Sequence, residues 1–182
     1  MRLIIGITGA SGVIYGIKIL EELKKKDVET HLIISKWGSF NIKEETEYSL
    51  KTVKALASYY YEADDLAANI SSGTFQSDGM IIAPCSMKTL SGITHGFTNN
   101  LLIRAADVAI KEGRKLVLLV RETPLSPIHL ENMLKLARLG IVIMPPVPAF
   151  YVKHQSVKDI IQHTVGRAVS YTHLTLPTIL LV

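Results

Sequence analysis

The chain has 182 residues, a formal net charge of +4 and a single cysteine, with 48% hydrophobic against 20% charged residues. That length favours one domain with a core large enough to need no staples, and one cysteine excludes an intrachain disulfide. There is no dense Lys/Arg cluster, no apolar run near the roughly 20 residues of a membrane helix and no signal-peptide pattern, so no nucleic acid, no membrane and a cytoplasmic location are expected.

Arg2 to Thr8 reads as a buried strand, because Leu3, Ile4, Ile5 and Ile7 form a short apolar run. Gly9-Ala10-Ser11-Gly12 is a tight turn. Val13 to Lys26 has helical spacing, with Val13, Ile17, Leu20 and Leu23 on one face. Lys24-Lys25-Lys26 closes that helix, where cations meet the negative end of its dipole. Thr30 to Ser35 is the next strand, completing a strand–helix–strand unit. Lys36 to Leu66 is more polar and is predicted mostly helical. Asn69 to Asp78 is a loop. Gly79 to Ala83 is a strand stopped by Pro84, and helices follow over Ser86 to Gly96 and Leu101 to Lys111. Lys115 to Val120 is a strand, Ile128 to Leu139 a helix stopped by Gly140, Ile141 to Met144 a strand and Ser156 to Val169 a helix. Alternating strands and helices predict a three-layer α/β fold of the Rossmann or flavodoxin-like kind, a parallel sheet with helices on both faces. A mean hydropathy of +0.27 fits such a buried sheet, or extensive subunit contact. Residues 1–169 form one domain, and 170–182 stand apart as an atypical tail.

Ligands of such folds lie at the carboxyl ends of the strands, so four loops carry the candidates. Gly9-Ala10-Ser11-Gly12 places backbone N–H groups at a helix N-terminus, where an anion such as a phosphate is favoured. The plainer reading is a tight turn with Ser11 as helix cap. The glycines match neither G-x-G-x-x-G nor a Walker loop. Ser86-Met87-Lys88-Thr89 offers hydroxyls that cap a helix or donate to a phosphate or flavin. Cys85 beside it reads as a packed thiol more than a nucleophile. Arg121-Glu122-Thr123-Pro124 sets a carboxylate next to an arginine, either a proton carrier with a phosphate ligand or a surface ion pair. Pro145-Pro146-Val147-Pro148-Ala149-Phe150-Tyr151 is a stiff loop that packs, or walls an apolar site with a phenol. The six histidines form no H-E-x-x-H and no Cys/His cluster, so no metal is expected.

Taken together, the loops resemble the UbiX-type flavin prenyltransferases. The resemblance is carried in order by Gly6 to Gly12, Leu32 to Lys36, Pro84 to Ser91, Arg104 to Val108, Arg121 to Leu125, His129 to Met133 and Pro148 to Tyr151. It implies transfer of a dimethylallyl group from dimethylallyl monophosphate to N5 and C6 of reduced FMN, giving the prenylated FMN used by UbiD-type decarboxylases. It implies FMN binding by Gly9, Ala10, Ser11, Ser35, Ser86, Met87, Lys88, Thr89 and Arg121. Glu122 is then the acid/base residue, assisted by Ser11. Tyr151 and Arg167 hold the substrate phosphate, with Arg104 and Lys111 as additional contacts. A homo-oligomer, a dodecamer in the family, with sites built between subunits is expected. The alternatives are a related FMN-dependent cysteine-type decarboxylase and a non-catalytic FMN carrier. The first wants a histidine after the second strand and a P-x-M-N-x-x-M-W stretch, both missing. The second is usually acidic, whereas this chain is basic.

Overall fold

The fold rests on a computed structural model that describes residues 1–172. Six strands lie in one parallel sheet: β1 (Arg2–Ile7), β2 (Glu29–Ile34), β3 (Tyr59–Tyr61), β4 (Gly79–Cys85), β5 (Lys115–Val120) and β6 (Val142–Ile143), in the order β3-β2-β1-β4-β5-β6. The helices are α1 (Ile14–Lys25), α2 (Lys36–Glu45), α3 (Leu50–Lys54), α4 (Met87–Thr94), α5 (Leu101–Lys111), α6 (Pro127–Arg138) and α7 (Val157–Ser170).

Side chains alternate across a strand, and the two faces divide accordingly. Leu3, Ile5 and Ile7 of β1, with Ile81 and Ala83 of β4, join a core shared with α1, α2, α3 and α7. Ile4, Met80 and Ile82 point the other way into a core shared with α4, α5 and α6. Central strands buried on both faces explain the nearly continuous apolar runs of the sequence. The expected three layers are present.

Two strand expectations are corrected. Residues 36–66 are not mostly helical: α2 and α3 are short, and Tyr59–Tyr61 pairs with β2 as an edge strand. Three residues are too few for a period-2 pattern to show. Pro84 does not stop β4, which runs to Cys85 through a register shift between Ile82 and Cys85. A bulge accommodates a residue that has no N–H to give the ladder. The other boundaries move by one or two residues. Of the 170–182 tail, residues 173–182 lie outside the described residues.

The chain leaves β1 for β2 on one side and returns to β4 on the other. The loops after β1 and β4 therefore part at a topological switch point, which is where open α/β sheets bind ligands.

Candidate functional site

Four loop starts meet at this switch point. Thr8 clasps those after β1 and β4: its hydroxyl donates to the Pro84 carbonyl at 2.7 Å and accepts from the Ser86 N–H at 2.9 Å. Thr8 is 1% exposed. The Ser35 N–H donates to the Ile7 carbonyl at 2.9 Å, and the Arg121 N–H to the Cys85 carbonyl at 3.1 Å. The residues after β1, β2, β4 and β5 are thus tied into one rim.

Ser35 and Ser86 each cap a helix, accepting from the Gly38 and Thr89 N–H groups at 3.0 and 3.3 Å. Their helices, α2 and α4, open toward the same cavity. It has a volume of about 610 Å³ and is lined by Gly9, Ser35, Lys36, Trp37, Ser86, Lys88, Thr89 and Asn100, among others. Five residues singled out in the sequence therefore converge: Gly9, Ser35, Ser86, Lys88 and Thr89. The Glu62 and Asp64 carboxylates on its wall balance the two lysines, and the two helix N-termini supply the N–H groups that favour an anion there. Gly9 is required by close approach, since a Cβ at that position would overlap the Trp37 Cβ. Met87 opens α4 and packs partly into the core beneath it.

The Gly9–Gly12 turn differs from the sequence reading. Ser11 does not cap α1; the cap position is Val13, which makes no side-chain bond. The N–H groups of Gly12 and Val13 instead donate to the Glu45 carboxylate, at 2.7 and 3.3 Å. An internal anion already sits at that helix end, as the dipole favours. Gly12 adopts φ +97°, the left-handed region that glycine tolerates. The Ala10 carbonyl accepts from Asn41 at 3.2 Å. Sequence reasoning missed Glu45, Trp37 and Thr8 as site residues. Only the β1 terminus flagged Thr8; a carboxylate at the end of α2 carries no local signal.

Arg121 and Glu122 lie exposed beyond β5, on the α1 side of the rim. The Arg121 charge works against burial, which raises the Tyr15 phenol above its ordinary range. The Glu122 carboxylate accepts from the Thr123 N–H at 3.0 Å. Arg167 lies at the β6 edge, lining a second cavity of about 220 Å³ with Met144, Pro145, His163 and Tyr171. Tyr151 packs edge-on against His163, ring centroids 6.3 Å apart. Arg104 and Lys111 are engaged elsewhere. The Arg104 guanidinium donates to the Ser71 carbonyl at 3.1 Å and to Asp107 at 2.8 Å. Lys111 pairs with Glu112 at 2.7 Å, at the far end of α5, about 15 Å along the axis from its first residue. One chain does not bring Arg104 and Lys111 to the cavity. Among the described residues no three His, Cys, Asp or Glu gather as metal ligands, and no helix is long and apolar enough to cross a membrane.

A doubly wound sheet with an anion-favouring cavity at its switch point defines a nucleotide-binding α/β protein. Comparison with known proteins narrows the class. The flavoprotein family model matches residues 1–169. The flavin prenyltransferase UbiX of Escherichia coli K12 is 54% identical over 177 residues, covering 97% of this chain and 94% of the relative. The crystal structure of AnUbiX (PadA1) in complex with FMN and dimethylallyl pyrophosphate superposes with a TM-score of 0.94 at 52% identity, covering 96% and 93% of the two chains. A dodecameric FMN-dependent UbiX-like decarboxylase from Escherichia coli O157:H7 gives 0.95 at 52% identity, covering 97% and 96%. The chain belongs to the flavoprotein family and, within it, to the UbiX-like flavin prenyltransferases.

Proposed function

We propose that the chain joins a dimethylallyl group to reduced FMN, the acceptor atoms N5 and C6 being supplied by the flavin when bound. The convergence of the α2 and α4 N-termini on one cavity carries this reading. Its size suits a flavin nucleotide, since cofactor sites span about 300–1,000 Å³. Ser35, Ser86, Lys88 and Thr89 supply donors for a phosphate and polar ring edges. Gly9 lines the same cavity, and the family likeness assigns Ala10, Ser11 and Arg121 to FMN beside it.

Breaking the allylic C–O bond sends an electron pair to the departing phosphate. Arg167 and the Tyr151 hydroxyl neutralise that charge without a metal. Forming the bond at C6 releases a proton from the flavin ring, and Glu122 takes it, with Ser11 assisting. Lys111 and Arg104 reach such a site only when a second copy of the chain presents them. A homo-oligomer fits the exposed apolar residues Ile128, Leu130, Leu134 and Phe150, and the Escherichia coli O157:H7 neighbour is described as dodecameric. The product would pass to a UbiD-type decarboxylase in the cytoplasm.

The test is mass spectrometry of the flavin after incubation with reduced FMN and dimethylallyl monophosphate, with the diphosphate in a parallel arm. The flavin gains one dimethylallyl group; an unchanged mass from folded protein in both arms refutes the reading. Glu122→Gln keeps FMN binding and loses about 10²–10⁴-fold in rate, the range of one general acid–base group. A variant as active as the parent removes Glu122 from that role.

A further inference from the structure

His163 takes no part in the chemistry above, yet the structure leaves it and His154 with an unsatisfied atom each. The Nε2 atoms of both are enclosed and have no hydrogen-bond partner among the described residues. The two rings stand 5.8 Å apart between centroids, at 69°. Tyr151 meets the His163 ring edge-on at 83°. His163 precedes Arg167 by four residues on α7, so both side chains share one helix face, and both line the 220 Å³ cavity. Arg167 makes no ion pair among the described residues. A buried polar atom without a partner costs about 1–3 kcal/mol. A cavity lined by Arg167, with an unpaired imidazole nitrogen enclosed in its wall, suits an anionic guest.

We propose that His163 is a third ligand of the substrate phosphate beside Tyr151 and Arg167, and that it takes up a proton as the phosphate binds. The proposal rests on the reading of Tyr151 and Arg167 as the phosphate site. The His163 imidazole binds a proton less readily than a free ring. Burial lowers its proton affinity, and the charges of His154 and Arg167 lower it further. The other titratable neighbours are Tyr151 from the preceding loop and Tyr171 at the end of α7. Asp159, one turn earlier, is occupied by the Gln155 N–H and the start of α7, and faces His154 electrostatically. Strand β6 and its exit contribute only Val142, Ile143, Met144, Pro145 and Val147 to the cavity. The face of α7 toward α1 is Val165, Ala168 and Val169. An arriving dianion reverses the local balance, since an opposite charge within about 4–6 Å favours the protonated ring.

The test uses the full chain loaded with FMN and titrated with sulfate, which takes up no proton near neutrality. Calorimetry at pH 7 in two buffers of different ionisation heat counts protons taken up by the protein. The parent binds sulfate with proton uptake. His163→Leu weakens binding about tenfold, the size of one charge-assisted hydrogen bond. His163→Gln keeps a donor near the Nε2 position, so it restores most of the affinity but none of the uptake. A purely structural role would leave uptake intact in the glutamine variant, and that result overturns the proposal. Uptake lost in His154→Gln but kept in His163→Gln overturns it too. If His163→Leu binds as the parent does while Arg167→Ala fails to bind, His163 is excluded and the phosphate site stands. If neither substitution changes binding, the phosphate-site reading itself falls.

Discussion

Replacing Thr8 with valine tests whether the clasp between β1 and β4 holds the site together. The substitution keeps the shape and removes the hydroxyl that bridges Pro84 and Ser86 at 2.7 and 2.9 Å. The two partners are not affected equally. The Pro84 carbonyl keeps the Thr8 backbone N–H at 3.3 Å, whereas the Ser86 N–H loses its acceptor. An orphaned donor costs about 1–3 kcal/mol and a lost hydrogen bond about 1. Ser86 is half-buried and water can partly replace the hydroxyl, so about 2 kcal/mol is expected. For a domain of this size that lowers Tm by about 4–8 °C. Ser86 also caps α4, so FMN affinity should fall alongside stability. Thermal unfolding by circular dichroism and flavin fluorescence titration read the two effects. Thr8→Ser keeps the hydroxyl and loses only a methyl group, so it should hold both properties near the parent's. A valine variant as stable as the serine variant, binding FMN equally well, refutes the clasp as a source of stability and order.

Two further outcomes follow from buried or paired groups. Cys85 is fully enclosed and burial pushes its thiol up to about 12, so a thiol reagent at pH 8 should leave the folded protein untouched and label one group after denaturation; rapid labelling of folded protein contradicts this. Burial lowers His31 below its ordinary range, outweighing the Glu29 contact at 2.8 Å, while Arg2 and then His31 hold Glu29 at about 2. In the unfolded chain both groups bind protons more readily, so each contribution is lost as pH falls. His31 acts from about pH 6.5 downward and Glu29 from about pH 4.5 toward 2. Urea midpoints should therefore fall in two stages on acidification. His31→Gln should flatten the upper stage, leaving the part due to His163, and a profile unchanged by that substitution rules out His31 as its source.

The sheet was legible because its central strands are buried on both faces. Leu3–Ile7 and Leu116–Val120 read as strands from composition alone, since every residue in them is buried. Tyr59–Tyr61 escaped for the opposite reason: a half-exposed edge strand of three residues is held by its neighbour and by aromatic stacking on His31, which no local pattern reports. The site divides in the same way. Ser86 was legible because a helix cap is a local device: the hydroxyl serves an N–H three residues on, and the same position places it at a strand's carboxyl end; Ser35, which only the resemblance pointed to, caps α2 in the same way. Thr8 and Glu45 act across 78 and 33 residues of chain respectively, so their roles exist only once β1, β4 and α2 have been brought together. The Gly9–Gly12 turn shows the difference most plainly. Its spacing announced a helix end that favours an anion, and the fold supplies one from within, the Glu45 carboxylate. A guest phosphate is then better served by α2 and α4, whose first turns face open space while the first turn of α1 is already occupied. The start of α1 does hold an anion, and tertiary structure decides that it is the Glu45 carboxylate.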